Sequence, residues 1–150
     1  MLDYLRDLRW ITELEIAIYA VDDLRTDCAG MTMIISALLQ RDRIPHRCMQ
    51  GGVLHLPSQA HVVPHHWIEI DQDIVIDLRL RMWLGDTEAI PHGIFDKGLE
   101  LDLRYSGQEA PKQALSAREL DAITEGRSKR LRLPLHWRMT PRRKGAGRAP

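Results

Sequence analysis

Three short segments of the sequence carry side chains whose types can do acyl chemistry together. They are Thr26-Asp27-Cys28, then His65-His66-Trp67-Ile68-Glu69, then Asp77. A thiol in the first turn of a helix feels unsatisfied N–H groups and the positive end of the helix dipole, and both favour the nucleophilic thiolate. An imidazole beside it completes an ion pair, and a carboxylate behind the imidazole fixes its tautomer and orientation. The backbone N–H of Cys28 would point at the oxygen of a carbonyl under attack. The expected chemistry is attack of Cys28 on an amide or ester carbonyl, followed by release to water or to an amine.

That chemistry needs elements that bring the three segments together. Thr26-Asp27 has N-cap chemistry, and Met31, Ile34, Ile35, Leu38 and Leu39 recur at helical spacing behind it. The spacing predicts a helix that starts at Cys28 and stops near Arg43, because Pro45 disfavours helical geometry in the residue before it. Residues 2–20 read as an earlier helix with Leu2, Leu5 and Leu8 on one side. From Pro45 onward, Val- and Ile-rich runs broken by Gly, Pro and Asp predict strands at 46–50, 53–56, 65–70 and 74–80. Leu99, Leu101, Leu103 and Tyr105 alternate with polar residues as another strand. Ser116 and Glu119 form a capping-box pattern ahead of a short helix that Gly126 would end. Helices first and strands after predict an α+β fold, with N-terminal helices packed on an antiparallel sheet.

The segment IEIDQDIVID allows a test of geometry. A turn centred on Asp71 sets Ile68 opposite Ile74, Trp67 opposite Val75 and His65 opposite Asp77. One face then holds His66, Ile68, Ile70, Ile74 and Ile76, and the other His65, Trp67, Glu69, Asp73, Val75 and Asp77. A one-residue slip would split the isoleucines between faces. The alternation therefore puts His65, rather than His66, with Asp77.

Composition limits the alternatives. The chain has 150 residues, 44% hydrophobic and 28% charged, which suits one globular domain with a substantial core. No apolar run approaches the roughly 20 residues that cross a bilayer, and the opening MLDYLRDLRW lacks the apolar stretch of a secretory signal. Two cysteines exclude a disulfide framework, and a cytoplasmic location is the expectation. The net charge of zero conceals an asymmetry. Residues 126–150 hold nine Lys/Arg and no acid, which leaves 12 bases against 21 acids, or −9, in residues 1–125. The chain is expected to be one domain over 1–139 with a disordered basic tail over 140–150, able at most to make a weak polyanion contact.

In this order, Cys28-Ala29, Leu38-Leu39, Ile44-Pro45-His46-Arg47, Gly51-Gly52, His65-His66-Trp67-Ile68-Glu69 and Asp77 resemble the transglutaminase-like superfamily of papain-fold cysteine enzymes. The likeness covers residues 26–78. It implies a papain-like core and a Cys-His-Asp triad of Cys28 as nucleophile, His65 as general base and acid, and Asp77 as orienting carboxylate. It implies a peptide or protein substrate, handled as by a cysteine peptidase, an amidase or a transglutaminase. A catalytically degenerate module that binds a peptide or partner protein is the alternative. Asp42-Arg43 stands where the family has a Gly before Ile-Pro. No upstream Gln or Trp is obviously placed to complete an oxyanion hole, and Tyr19 is a candidate by position.

Other residues keep two readings. Trp67 either walls the site or is a plain core residue. Arg79 and Arg81 either bind an anionic substrate group or lie on a solvated strand face. Cys48, mid-strand and remote from any helix start, reads as a core thiol, and His66 as a partly buried, hydrogen-bonded histidine. Pro64 interrupts the histidine-rich segment and no HExxH or CxxC occurs, so neither a metal nor another cofactor is expected.

Overall fold

A computed structural model describes residues 2–135, with side chains from 7 onward. The expected disordered tail at 140–150 lies outside the described residues. Within them the fold is α+β: four α-helices and an open antiparallel sheet of five strands in the order β4-β3-β2-β1-β5. The helices are α1 (Leu2–Ile18), α2 (Cys28–Arg41), α3 (Arg81–Leu84) and α4 (Ala117–Ile123). The strands are β1 (Arg47–His55), β2 (Ala60–Ile70), β3 (Ile74–Asp77), β4 (Gly93–Asp96) and β5 (Leu103–Ala110). None of the described helices is long and apolar enough to cross a membrane.

Helix α2 is the spine of the core. Met31, Ile34, Ile35, Leu38 and Leu39 are all buried, as their spacing predicts, and they pack on Ile68, Ile70 and Ile76 of the sheet. Each such burial stabilises by about 1.5–3 kcal/mol over an exposed side chain. In α1 the buried stripe is Trp10, Leu14 and Ile18, whereas Leu8 of the expected Leu2/Leu5/Leu8 stripe is exposed. The chain returns after α4, whose capping box at Ser116 and Glu119 is formed. Leu120, Leu131 and Leu133 join the core there, and Arg41 donates to the carbonyls of Ser128 and Leu131.

The sheet differs from expectation in several places, among them β4, which the sequence did not predict. The first two expected strands are one, because Gly51 and Gly52 continue β1 rather than break it. A Cβ on Gly51 would lie 2.1 Å from the Ser106 carbonyl oxygen, so glycine is what lets β1 and β5 approach. Strand β2 starts at Ala60 and runs through Pro64, which falls at the β1–β2 register shift between Gly51 and Val53 and beyond the β2–β3 pairs. Ladder hydrogen bonds do not need the N–H that proline lacks there. Strand β3 stops at Asp77, since Leu78–Leu80 turn into α3. Strand β5 starts at Leu103, and Leu99 and Leu101 are exposed in the turns that follow β4.

The β2–β3 turn centres on Gln72, not Asp71, with Ile68 opposite Ile76, Glu69 opposite Val75 and Ile70 opposite Ile74. Asp71 takes a φ of 59°, which Asp tolerates better than most residues. The register moves by two residues, an even number, so every side chain keeps its predicted face. The face with His66, Ile68, Ile70, Ile74 and Ile76 meets the helices. Trp67 and Val75 of the other face pack with Met49, Phe95 and Tyr105 in a small aromatic cluster.

Candidate functional site

Each member of the site is placed by a local feature of the chain. Asp27 caps α2, its Oδ1 accepting from the Gly30 N–H at 2.8 Å, so Cys28 is the first residue of the helix. His65 and Asp77 share one face of the β2–β3 pair as diagonal neighbours, two residues from direct opposition. Diagonal Cβ atoms are about 7 Å apart, which an imidazole and a carboxylate can span together. The Nε2–H of His65 donates to Asp77 Oδ2 at 2.7 Å, with both side chains almost wholly buried.

Nδ1 of His65 is also buried and has no hydrogen-bond partner. The Cys28 thiol lies close enough to stabilise the protonated ring, without a hydrogen bond of ordinary geometry. The structure thus brings Cys28, His65 and Asp77 to one place, where β3 leaves β2 and the start of α2 comes in. Burial pulls the imidazole pKa down. The hydrogen bond and charge of Asp77, with the sulfur of Cys28, outweigh it and push the pKa up to about 9.

Asp77 is held by three donors. Oδ1 accepts from the Arg79 backbone N–H at 3.0 Å, and Oδ2 accepts from the Tyr105 hydroxyl at 2.9 Å as well as from His65. Strands β3 and β5 are not neighbours, since β2 and β1 lie between them. In a flat sheet they would be about 14 Å apart, three intervals of 4.7–4.9 Å. A bond between their side chains requires a strongly curved sheet with this face on the inside.

Trp67 is buried with its ring stacked on His65, centroids 6.0 Å apart, and its edge against Tyr105 at 4.9 Å. Trp67 is thus a core residue whose ring face lies beside His65. Glu69 orients it, accepting from Trp67 Nε1 while Arg47 and Lys97 neutralise the buried carboxylate. A Cβ on Gly107 would come within 2.9 Å of the indole, so glycine at that position leaves room for the ring.

Arg79 takes neither of the roles read for it. It is buried, and its guanidinium donates to the backbone oxygens of Asp22, Leu24, Thr26 and Leu78 and to Asp22 Oδ1, at 2.7–2.9 Å. With its donors committed to the loop that leads into Cys28, it has none for a substrate anion. It ties the start of α2 to the end of β3, and with that Cys28 to Asp77. Arg81 donates to the Ile90 carbonyl. Tyr19, the positional candidate for the oxyanion hole, instead donates to the His92 carbonyl at 3.4 Å and stacks on the His92 ring. His66 is half-buried, with its pKa lowered by burial and by the charge of His65. Cys48 is buried in the main core. Among the described residues no group of His, Cys, Asp or Glu is arranged to hold a metal ion.

The bond of Tyr105 to Asp77, the partners of Glu69 and the clamp of Arg79 were not legible in the sequence. Tyr105 sits 28 residues from Asp77 and reaches it only through the curvature of the sheet. Arg79 offered one signal, its place two residues after the candidate carboxylate. Comparison with protein-family models, with curated proteins and with solved structures finds no match.

Proposed function

We propose that this protein is a thiol-dependent acyl-transfer enzyme acting on a peptide-like amide, built on a papain-like core of the transglutaminase-like type. The observation that carries this reading is His65, a buried imidazole bound through Nε2 to Asp77 and with Nδ1 unengaged beside a thiol at a helix start. With its pKa near 9 the ring is an imidazolium at neutral pH, the partner that a thiolate requires.

In the proposed reaction Cys28 Sγ bonds to the substrate carbonyl carbon, and the carbonyl electron pair moves to oxygen. The Cys28 N–H, a first-turn donor without an intrahelical acceptor, stabilises that oxyanion. The C–N bond breaks as His65 gives its proton to the leaving amine, which yields an acyl-enzyme. Water or an amine then attacks the acyl carbon, and His65 takes the proton of the incoming group. The thiolate leaves, and the starting ion pair returns. Asp77 keeps the imidazole oriented throughout.

The near-complete burial of Cys28 and His65 favours a second reading, a degenerate module that binds a peptide or protein without turnover. One experiment separates the two. The protein is treated at neutral pH with iodoacetamide, and separately with p-nitrophenyl acetate, followed by mass spectrometry. The enzyme reading expects Cys28 to be alkylated at least tenfold faster than Cys48, a transient acetyl adduct on Cys28, and loss of both in His65→Ala. Equal labelling of the two thiols with no acyl adduct supports the binding module.

A further inference from the structure

We propose that Tyr105 is a positioning residue for the triad, its phenol sharing one oxygen of Asp77 with the imidazole of His65. This inference rests on the triad reading above. It starts from a geometric fact that the triad does not require. Asp77 has two oxygens, yet two side-chain donors converge on one of them, His65 Nε2 at 2.7 Å and Tyr105 Oη at 2.9 Å, while Oδ1 is taken by the Arg79 N–H.

Two donors on one oxygen compete. Each draws on the same negative charge, so the phenol weakens the hold of the carboxylate on the imidazolium. That matters for a group that must first give a proton and later take one, because an imidazolium bound too tightly is a poor acid toward a leaving amine. The arrangement also fixes the carboxylate plane, since three donors from β2, β5 and the chain after β3 leave it no freedom to turn. Burial raises the Tyr105 pKa well above the ordinary phenol value, and the charge of Asp77 and its hydrogen bond add to this. The hydroxyl therefore stays protonated and remains a donor across the working pH range. The edge contact with Trp67, whose face lies on His65, sets the ring angle.

The titratable groups that face His65 are Cys28 on α2, Asp77 on β3 and its neighbour His66 on β2. Glu100 acts on Tyr105 from the turn before β5, and Asp27 acts on His66. Tyr105→Phe changes only the donor count on Asp77 among these.

The test is an NMR titration of the His65 ring in the full chain, with iodoacetamide labelling of Cys28 followed alongside. Tyr105→Phe is expected to move the His65 midpoint upward by half a unit or more, at least a threefold gain in proton affinity. Labelling of Cys28 should stay selective over Cys48 at neutral pH. Because Phe leaves a buried oxygen short of a donor, a second variant carries 3-fluorotyrosine at position 105. This more acidic phenol is a stronger donor and should move the midpoint downward. Opposite shifts in the two variants support the role. An unchanged midpoint in either folded variant, or shifts of the same sign, would overturn it. The triad reading fails on a different measurement, the loss of Cys28 selectivity in the unmodified chain, so the two failures are distinguishable.

Discussion

At the scale of single residues, two buried histidines act on stability with opposite sign. His65 has a folded-state pKa of about 9 against 6.5 for a free imidazole, so the folded chain binds the extra proton. Its contribution is fully present below pH 6.5 and is lost as the pH rises toward 9. His46 is buried and neutral, with Nδ1–H donating to the Ile44 carbonyl and Nε2 accepting from the Ser36 hydroxyl at 2.7 Å. Burial holds its pKa below the usual value, so the unfolded chain takes up the proton first, and stability falls as the pH drops below about 6.5. Urea melts from pH 5 to 9.5 should therefore give a maximum near neutrality. Asp77→Asn should flatten the alkaline limb and His46→Gln the acid limb. An alkaline limb unaltered by Asp77→Asn would mean that His65 does not gain its proton from that partner. The adjacent imidazoles should also separate in labelling. On the proposed reading, His65→Ala should slow the alkylation of Cys28, whereas His66→Ala should leave most of it, because the Nε2 bond to Asp77 belongs to His65 rather than His66.

At the scale of elements, the site depends on where α2 begins and on what holds that point. Asp27→Ala removes the acceptor for the Gly30 N–H and should cost about 1 kcal/mol. Selective labelling of Cys28 should slow in the same variant, because the first turn frays. Arg79→Ala should cost more, about 2–3 kcal/mol, by leaving several loop carbonyls without donors. Arg79→Lys should recover little of this, since one ammonium group cannot reach acceptors spread over Asp22, Leu24 and Thr26. A lysine variant with wild-type melting temperature and labelling would show that the clamp is dispensable. What was readable in the sequence follows the same lines. The start of α2, its apolar stripe, the capping box at Ser116 and the two faces of the β2–β3 hairpin came from local periodicity and capping chemistry. The turn centre did not, because moving it by two residues leaves the alternation intact. Strand β4 was missed because four residues carry too little pattern. The stretch from Leu99 to Leu101 alternates like a strand yet is turned outward by backbone bonds such as Leu99 N–H to the Asp96 carbonyl. Arg79 looked solvated because nothing local reveals that the loop at 22–26 crosses above it.

At the scale of the whole molecule, the core among the described residues runs from Trp10 to Leu133; residues 140–150 are rich in Pro, Gly and Arg without apolar periodicity, so that segment is expected to add little to folding. A chain truncated after Met139 should melt within about 2 °C of the full chain and keep its Cys28 labelling. If the segment binds nucleic acid, a shift assay should show affinity falling steeply with salt and little sequence preference, and the truncated chain should lose it. A large drop in melting temperature on truncation would show that the segment belongs to the fold. The curved sheet has a further consequence, in time rather than space. The bond from Tyr105 to Asp77 joins the third described strand to the fifth, so the polar centre is finished only when β5 has docked. The chain synthesises its thiol early and the closing hydroxyl late, and contacts of such sequence separation form slowly. A partly folded or nascent chain thus carries Cys28, His65 and Asp77 without their final arrangement. During refolding from urea, amide protection of β5 should lag behind the burial of α2. A half-made molecule would then hold its Asp77 carboxylate one donor short, with the imidazole bound to it more tightly than in the finished one.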